Sequence, residues 1–231
     1  TVYDIQTWYN KTISGNRSKA YDELDIQGDY YYNSTTKNLS IYSTSNPASY
    51  YSEIYLAVET RGGAYGIIQA QSTSYLLFDN LDVRYGGVLG ISTSRSTNVT
   101  VQNCTVKYIG GTIQTGTTRY GNCIQFWANS TNIKALYNDI SYCFDAGITP
   151  QSATSAGSVT MNNIEIAYNI LSHNYYGVEY FNSHSDSQTY NLSVHHNTIA
   201  FTEEIFEWGR QYPQAVRLGK NPLLSNGTNF S

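Results

Sequence analysis

The sequence predicts an all-β fold: a right-handed parallel β-helix, or solenoid, preceded by a tyrosine-rich β-hairpin region. Three observations predict it. First, a small residue followed by a β-branched one recurs at Gly66-Ile67, Gly90-Ile91, Cys123-Ile124, Gly147-Ile148 and Gly177-Val178, and more weakly at Ala215-Val216. Second, an asparagine preceded by apolar strand residues recurs at Asn80, Asn103, Asn138, Asn169 and Asn197, in the texts F-D-N-L-D-V, V-Q-N-C-T-V, L-Y-N-D-I-S, A-Y-N-I-L-S and H-H-N-T-I-A. By subtraction these asparagines stand 23, 35, 31 and 28 residues apart. Third, no 3.6-residue period separates the strands, which argues against a βαβ fold. A rung of roughly 22–25 residues accommodates three short strands and three turns, and strands of successive rungs pair in parallel. An asparagine at a turn tolerates left-handed angles, and its amide can bond the asparagine of the next rung. A β-sandwich would not require both columns to repeat in phase.

Taken in order, residues 1–60 form N-terminal strands and a hairpin packed on the solenoid, and residues 61–231 form its rungs, one structural domain overall. Val2, Ile5, Trp8 and Ile13 suggest one or two strands, and Gly15–Lys19 a turn. Gly28–Pro47 reads as an aromatic strand, a polar turn at Asn33–Asn38 and an alternating strand at Leu39-Ile41. Asn46-Pro47 marks a turn, and Ile54-Leu56-Val58 the next strand. From Gly62 the repeat takes over. Intervals above the shortest require insertions, expected at Gly110–Thr118, Ser152–Asn162 and Asn182–Tyr190.

Composition excludes several classes. Charged residues make up 13% of the chain and net charge is −4, without the clustered cations that nucleic acid requires. No apolar run reaches the roughly 20 residues that span a bilayer. The chain opens at Thr1 without a signal peptide, as expected of a mature protein or an excised piece. The three cysteines, Cys104, Cys123 and Cys143, permit at most one internal disulfide; their spacing fits no zinc site, and they read as small buried hydrophobes. No cofactor is expected. Sequons at Asn10, Asn16, Asn33, Asn38, Asn98, Asn129, Asn191 and Asn226, with two more at Asn103 and Asn229, point to a secreted or cell-surface glycoprotein. As a member of the asparagine column, Asn103 is expected to be buried and unglycosylated.

The rung text from Gly62 to about Glu204 resembles the pectin-lyase-like superfamily of right-handed parallel β-helix proteins. I-G-G (Ile109–Gly111), R-Y-G-N-C-I-Q-F-W (Arg119–Trp127), D-A-G-I-T-P-Q (Asp145–Gln151) and the hairpin text Gly28–Ser43 are similar to a secreted, mostly uncharacterised branch of it. The superfamily includes polysaccharide lyases, glycoside hydrolases, epimerases, viral tailspikes and adhesins, so the resemblance implies a fold more sharply than an activity.

In such a fold the outer face of one sheet, flanked by long turns, makes a groove for an extended polymer. Aligning the residue after each small/β-branched pair gives the column Ile68, Ser92, Gln125, Thr149, Glu179 and Arg217, polar in its later rungs. Asp145 and Glu179 are the expected acid/base carboxylates, with Arg119 as a catalytic cation. Gln125, Trp127, Gln151, Tyr180, His184 and Arg217 are the expected substrate-binding residues. In a lyase, Tyr180 or His184 would be the base. His195 and His196 are adjacent on a strand and should face opposite ways, so no metal site is expected there. Glu203, Glu204 and Glu207 near Trp208 read as a surface turn. Three readings stay open: an enzyme acting on extracellular polysaccharide, a non-catalytic structural or adhesive module associating with copies of itself, and a sugar-binding module.

Overall fold

The computed structural model describes residues 2–6, 20–33, 35–36, 38–50, 55–58, 65–115, 118–184, 186–202, 214–218 and 229–230. Three parallel sheets enclose one core, and the chain visits them in turn, one strand per sheet per rung. The first sheet holds Gly66–Gln71, Leu89–Ser94, Ile124–Trp127, Ala146–Ser152, Tyr176–Asn182 and Gln214–Leu218. The second holds Ser74–Asp79, Thr97–Gln102, Thr131–Leu136, Thr160–Ala167, Gln188–His195 and Asn229–Phe230. The third holds Asp82–Gly86, Thr105–Ile109, Asp139–Cys143, Ile170–Ser172 and Thr198–Ala200. This is the expected parallel β-helix.

Register explains the core. Ile91, Ile124, Ile148 and Val178 stack inward from the first sheet. Val99, Ile133, Ile164 and Leu192 do so from the second. Val83, Val106, Ile140 and Leu171 do so from the third. Each such buried branched side chain contributes about 1.5–3 kcal/mol. The small half of the repeated pair has a steric cause. A Cβ on Gly147 would stand 2.7 Å from Leu171 Cδ2, and one on Gly177 would stand 2.5 Å from Ile199 Cγ2. The third sheet's side chains fill that space.

Along each rung the chain bends at single left-handed residues, and these too form columns. One runs Tyr85, Tyr108, Tyr142, His173, Phe201 at φ between 50° and 62°. A second, inside the second sheet, contains Asn98, Asn132, Asn163 and Asn191. A third contains Asn80, Asn103, Tyr137, Tyr168 and His196. Left-handed backbone is unfavourable for tyrosine. Here the bend turns each ring outward onto the ring of the next rung, at centroid distances of 5.2, 4.9, 4.9 and 5.1 Å along Tyr85 to Phe201.

The third column corrects the asparagine alignment. The buried ladder runs Asn138, Asn169, Asn197: Asn138 Nδ2 donates to Asn169 Oδ1, and Asn169 Nδ2 to Asn197 Oδ1, both at 2.9 Å. In the preceding rung the partner is Cys104, whose N–H donates to Asn138 Oδ1 across 34 residues. Asn80 and Asn103 therefore sit one position earlier, on the left-handed bend, and both are exposed. The 35-residue interval exceeded the true rung by one. Asn103 is not a ladder member, and the expectation that burial keeps it unglycosylated fails.

Cys123 and Cys143 form a disulfide that joins the first and third sheets across 20 residues, which corrects their reading as free small hydrophobes. A loop of that size is worth about 3 kcal/mol on a chain-entropy account. Cys104 alone is a free buried thiol, and burial pushes its pKa up.

The expected insertions occur at corners. A hairpin of Ile113–Thr115 and Thr118–Arg119 leaves the corner between the third and first sheets. A 3-10 turn at Thr154–Ala156 and a turn at Asp186 leave the corners between the first and second. At the N-terminal end, Val2–Gln6 pairs antiparallel with Tyr55–Val58. Tyr30–Tyr32 pairs with Leu39–Ile41, as the hairpin text predicted, and Asn33 Oδ1 caps its turn by accepting the N–H groups of Thr35 and Thr36. Asn46-Pro47 opens one helical turn, Pro47–Tyr50. Trp8, Ile13, Gly15–Lys19, Ile54, the junction at residue 60, and Glu203, Glu204, Glu207 and Trp208 lie outside the described residues.

Candidate functional site

Strand pairing places Gln69, Ser92, Gln125, Thr149 and Glu179 in one outward column of the first sheet, with Arg217 at the same register position on the next rung. Gln69 replaces Ile68, which is opposite Ile91 and packs against the core. Rung spacing is about 4.8 Å, so neighbouring side chains bond directly. Gln125 Oε1 accepts from Asn122 Nδ2 and from Gln151 Nε2, both at 2.8 Å. Gln125 Nε2 donates to Ser92 Oγ at 3.5 Å, and Thr149 Oγ1 to Gln151 Oε1 at 3.3 Å. Asn122 Oδ1 accepts the N–H of Ala146 at 3.1 Å, tying the strip to the corner beside Asp145.

The strip is largely enclosed. Glu179 is 3% exposed, Gln125 5% and Asp145 6%. Trp127 and Gln151, opposite each other in register, are half-exposed and mark its accessible side. Neither Asp145 nor Glu179 is without a partner.

The register separates these two carboxylates. Glu179 is paired in line with Thr149, and Asp145 precedes Thr149 by four residues. At about 3.3 Å per residue and 4.8 Å per rung, their Cα atoms stand roughly 14 Å apart. The carboxyl groups of glycosidase pairs stand about 5–9.5 Å apart, so these two side chains would have to lean toward each other along the sheet to reach that range. Glu179 is instead directly opposite Arg217 on the next rung. Arg119 lies on the inserted hairpin beside the corner. The side chains of Arg119 and Arg217 lie outside the described residues.

Tyr180 is corrected. It points inward, 2% exposed, with its hydroxyl bonded to Thr189 Oγ1 at 2.9 Å inside the core. Alternation along the strand makes this unavoidable once Glu179 faces out. His184 is half-buried beside the turn at Asp186, where its Nδ1 accepts the N–H of Asp186. It is a turn residue off the strip.

Among the sequons, Asn38, Asn103, Asn129 and Asn191 are exposed, and Asn33 and Asn98 half-buried; Asn10, Asn16 and Asn226 lie outside the described residues. Asn98 and Asn191 are the two ends of an outer amide ladder. Asn132 Nδ2 donates to Asn98 Oδ1, Asn163 Nδ2 to Asn132 Oδ1, and Asn191 Nδ2 to Asn163 Oδ1, at 3.0, 2.9 and 3.0 Å.

The outer ladders were missed from sequence, yet a signal was there. Tyr85, Tyr108, Tyr142, His173 and Phe201 are spaced 23, 34, 31 and 28 residues by subtraction. These are the rung lengths of the second sheet, where Leu76, Val99, Ile133, Ile164 and Leu192 align. Their face-to-face stacking also decides what the rings can do. A sugar stacks on a ring face, and the inner rings of this ladder already use both faces on their neighbours.

Among the described residues no helix is long and apolar enough to cross a membrane. No curated protein and no solved structure matches the chain. The family model for the right-handed beta helix region matches residues 60–204, more than half of the sequence. With three parallel sheets wound rung on rung over that span, and in accord with the pectin-lyase-like resemblance of its text, the chain belongs to the right-handed β-helix family.

Proposed function

We propose that this is a secreted or cell-surface β-helix that engages an extracellular polysaccharide along the outward face of the first sheet. One observation carries this reading. On that face the rung column changes chemistry at each step, Ser92, Gln125, Thr149, Glu179, with half-exposed Trp127 and Gln151 beside it. Trp127 and Gln151 are the accessible members, an indole that stacks on a sugar face and an amide that bonds sugar hydroxyls, and the enclosed column behind them holds Gln151 in place. Enzymatic action, hydrolase- or lyase-like, is the further step, with Glu179, Asp145 and Arg119 as its chemical groups. In this setting the exposed sequons Asn38, Asn103, Asn129 and Asn191 would be open to glycosylation.

The test is affinity electrophoresis of the full chain in gels containing individual plant, microbial or animal polysaccharides, with release of reducing or unsaturated ends measured in parallel. Retardation by one polymer is expected, weakened about tenfold by Trp127→Ala if the indole contributes one stacking contact. Polymer cleavage that Glu179→Gln and Asp145→Asn abolish would establish the enzyme. Retardation by no polymer, or retardation that Trp127→Ala and Gln151→Ala leave unchanged, would reject this face.

A second reading is a non-catalytic structural or adhesive module whose partners are copies of itself. The enclosure of Asp145 and Glu179 and the occupied ring faces of the outer ladder favour it. Ordered filaments in electron micrographs, without polymer binding, would establish it.

A further inference from the structure

We propose that His195 and His196 form a surface two-nitrogen site for a tetragonal divalent cation of the copper(II) type. Neighbours on a regular strand point to opposite faces. His196 is left-handed, with φ of 52°, and this single bend cancels the alternation. Both rings emerge on the same side, and His195 Nδ1 and His196 Nδ1 share a hydrogen bond at 2.7 Å, whose one proton a bound cation would displace.

The surroundings hold the pair in place. Tyr168 stacks on the His196 ring at 5.1 Å and meets the His195 ring edge-on at 5.7 Å. Asn197 Nδ2 donates to the His195 carbonyl at 3.0 Å, fixing the backbone between the rings. Glu165 Oε1 lies 3.5 Å from His195 Nε2, and its other oxygen pairs with Lys134 Nζ at 3.0 Å. A carboxylate beside Nε2 favours a proton there, so His195 Nδ1 accepts the ring-to-ring hydrogen bond, His196 Nδ1 donates it, and cation binding would release that one proton to water. That carboxylate-to-imidazole arrangement is the ordinary outer support of a metal-binding histidine.

The spacing selects the metal. Two nitrogens about 2.0 Å from a cation and 90° apart are about 2.8 Å from each other, whereas a tetrahedral angle spreads them to about 3.3 Å. The observed 2.7 Å fits adjacent corners of a square, the copper(II) or nickel(II) preference, better than tetrahedral zinc. Among the described residues no group of three or more His, Cys, Asp or Glu side chains is arranged to hold a metal, so water would complete the coordination. This inference is independent of the polysaccharide reading.

The experiment titrates the full chain with a copper(II) salt and reads electron paramagnetic resonance and isothermal calorimetry. The expected result is one equivalent bound with nitrogen couplings from two imidazoles. His195→Asn and His196→Asn, the latter chosen because asparagine tolerates the left-handed bend, should each weaken binding at least tenfold. Glu165→Gln should weaken it about 10- to 100-fold. The chain has four histidines, so His173→Asn with His184→Asn is the complete control and should bind copper unchanged. Thermal melts of the metal-free variants report the fold separately. Absence of binding overturns the proposal. So does copper that persists in His195→Asn, or copper lost in the control while its fold is retained.

Discussion

The outward face of the first sheet and the bend at the end of the third are built on the same rungs but treat repetition differently. At the bend an aromatic ring recurs on five successive rungs, and each ring stacks on the next. On the sheet face the corresponding positions are Gln69, Ser92, Gln125, Thr149, Glu179 and Arg217, with no type held for two rungs running. A repeated column explains itself, because each member stabilises its neighbours. A column that varies gains less from stacking, so another demand must set its residues. In a solenoid, ladders report stability and interrupted columns point to function.

Three perturbations sharpen that contrast. The largest effect is expected inside the ladders. Asn169 is buried, donates to the Ala135 carbonyl and to Asn197 Oδ1, and accepts from Asn138. Asn169→Ala strands several of these groups and should cost about 3 kcal/mol. In a chain of this size that lowers Tm by about 6–12 °C, while polysaccharide retardation stays at the wild-type level below the melt. Loss of retardation in a folded Asn169→Ala protein would erase the distinction between ladder and site.

The outer aromatic stack should matter less. Tyr142 contacts Tyr108 and His173, and Tyr142→Asn keeps a residue tolerant of the left-handed bend while removing both ring contacts. At about 0.5–1.5 kcal/mol per aromatic contact the loss is about 1–3 kcal/mol in a denaturant titration. Unchanged stability would mean that the stack is an effect of the bend rather than a support for it.

The smallest effect is a pH dependence at the first rung. Hydrogen bonds from Asn103 and Gln102 hold the Asp79 carboxyl below its ordinary value of 3.8. A depressed carboxyl stabilises the fold when ionised, so its contribution is present above 3.8 and is lost as pH falls through the lower, folded-state value. Asp79 is fully exposed, and solvent screening keeps this contribution small. Asp79→Asn should flatten the acid limb of the stability curve slightly and leave the neutral range unchanged.

Much of the architecture was legible because it is periodic. The small residue of the pair is glycine at Gly147 and Gly177 because a third-sheet side chain occupies the space a Cβ would take, and Cys123 and Ala215 hold the same register position with small side chains. The Tyr30–Tyr32 hairpin was legible from its alternating strands and polar turn. The register was not fully legible. Asn103 and Asn138 share their neighbours' text, but Cys104 holds the ladder position in the earlier rung. Local similarity cannot reveal a one-residue slip, whereas the Tyr85-to-Phe201 spacing, set by stacking through space, does. The site was the least legible part. Tyr180 follows Glu179 directly in the sequence and so faces inward by parity with it, away from the groove its text suggests.

By itself the sequence determined the rung: its small and β-branched pair, its asparagines, its insertions and hence the parallel solenoid. These follow from requirements that each repeat meets locally. Only the tertiary structure decided which residues meet. It joined Cys123 to Cys143, enclosed Asp145 and Glu179, and brought His195 and His196 to one side. Each outcome depends on the angle of a single bend or on the register between rungs. Those quantities are fixed by packing across about 30 residues of chain, where one residue of slip reverses the direction of a side chain.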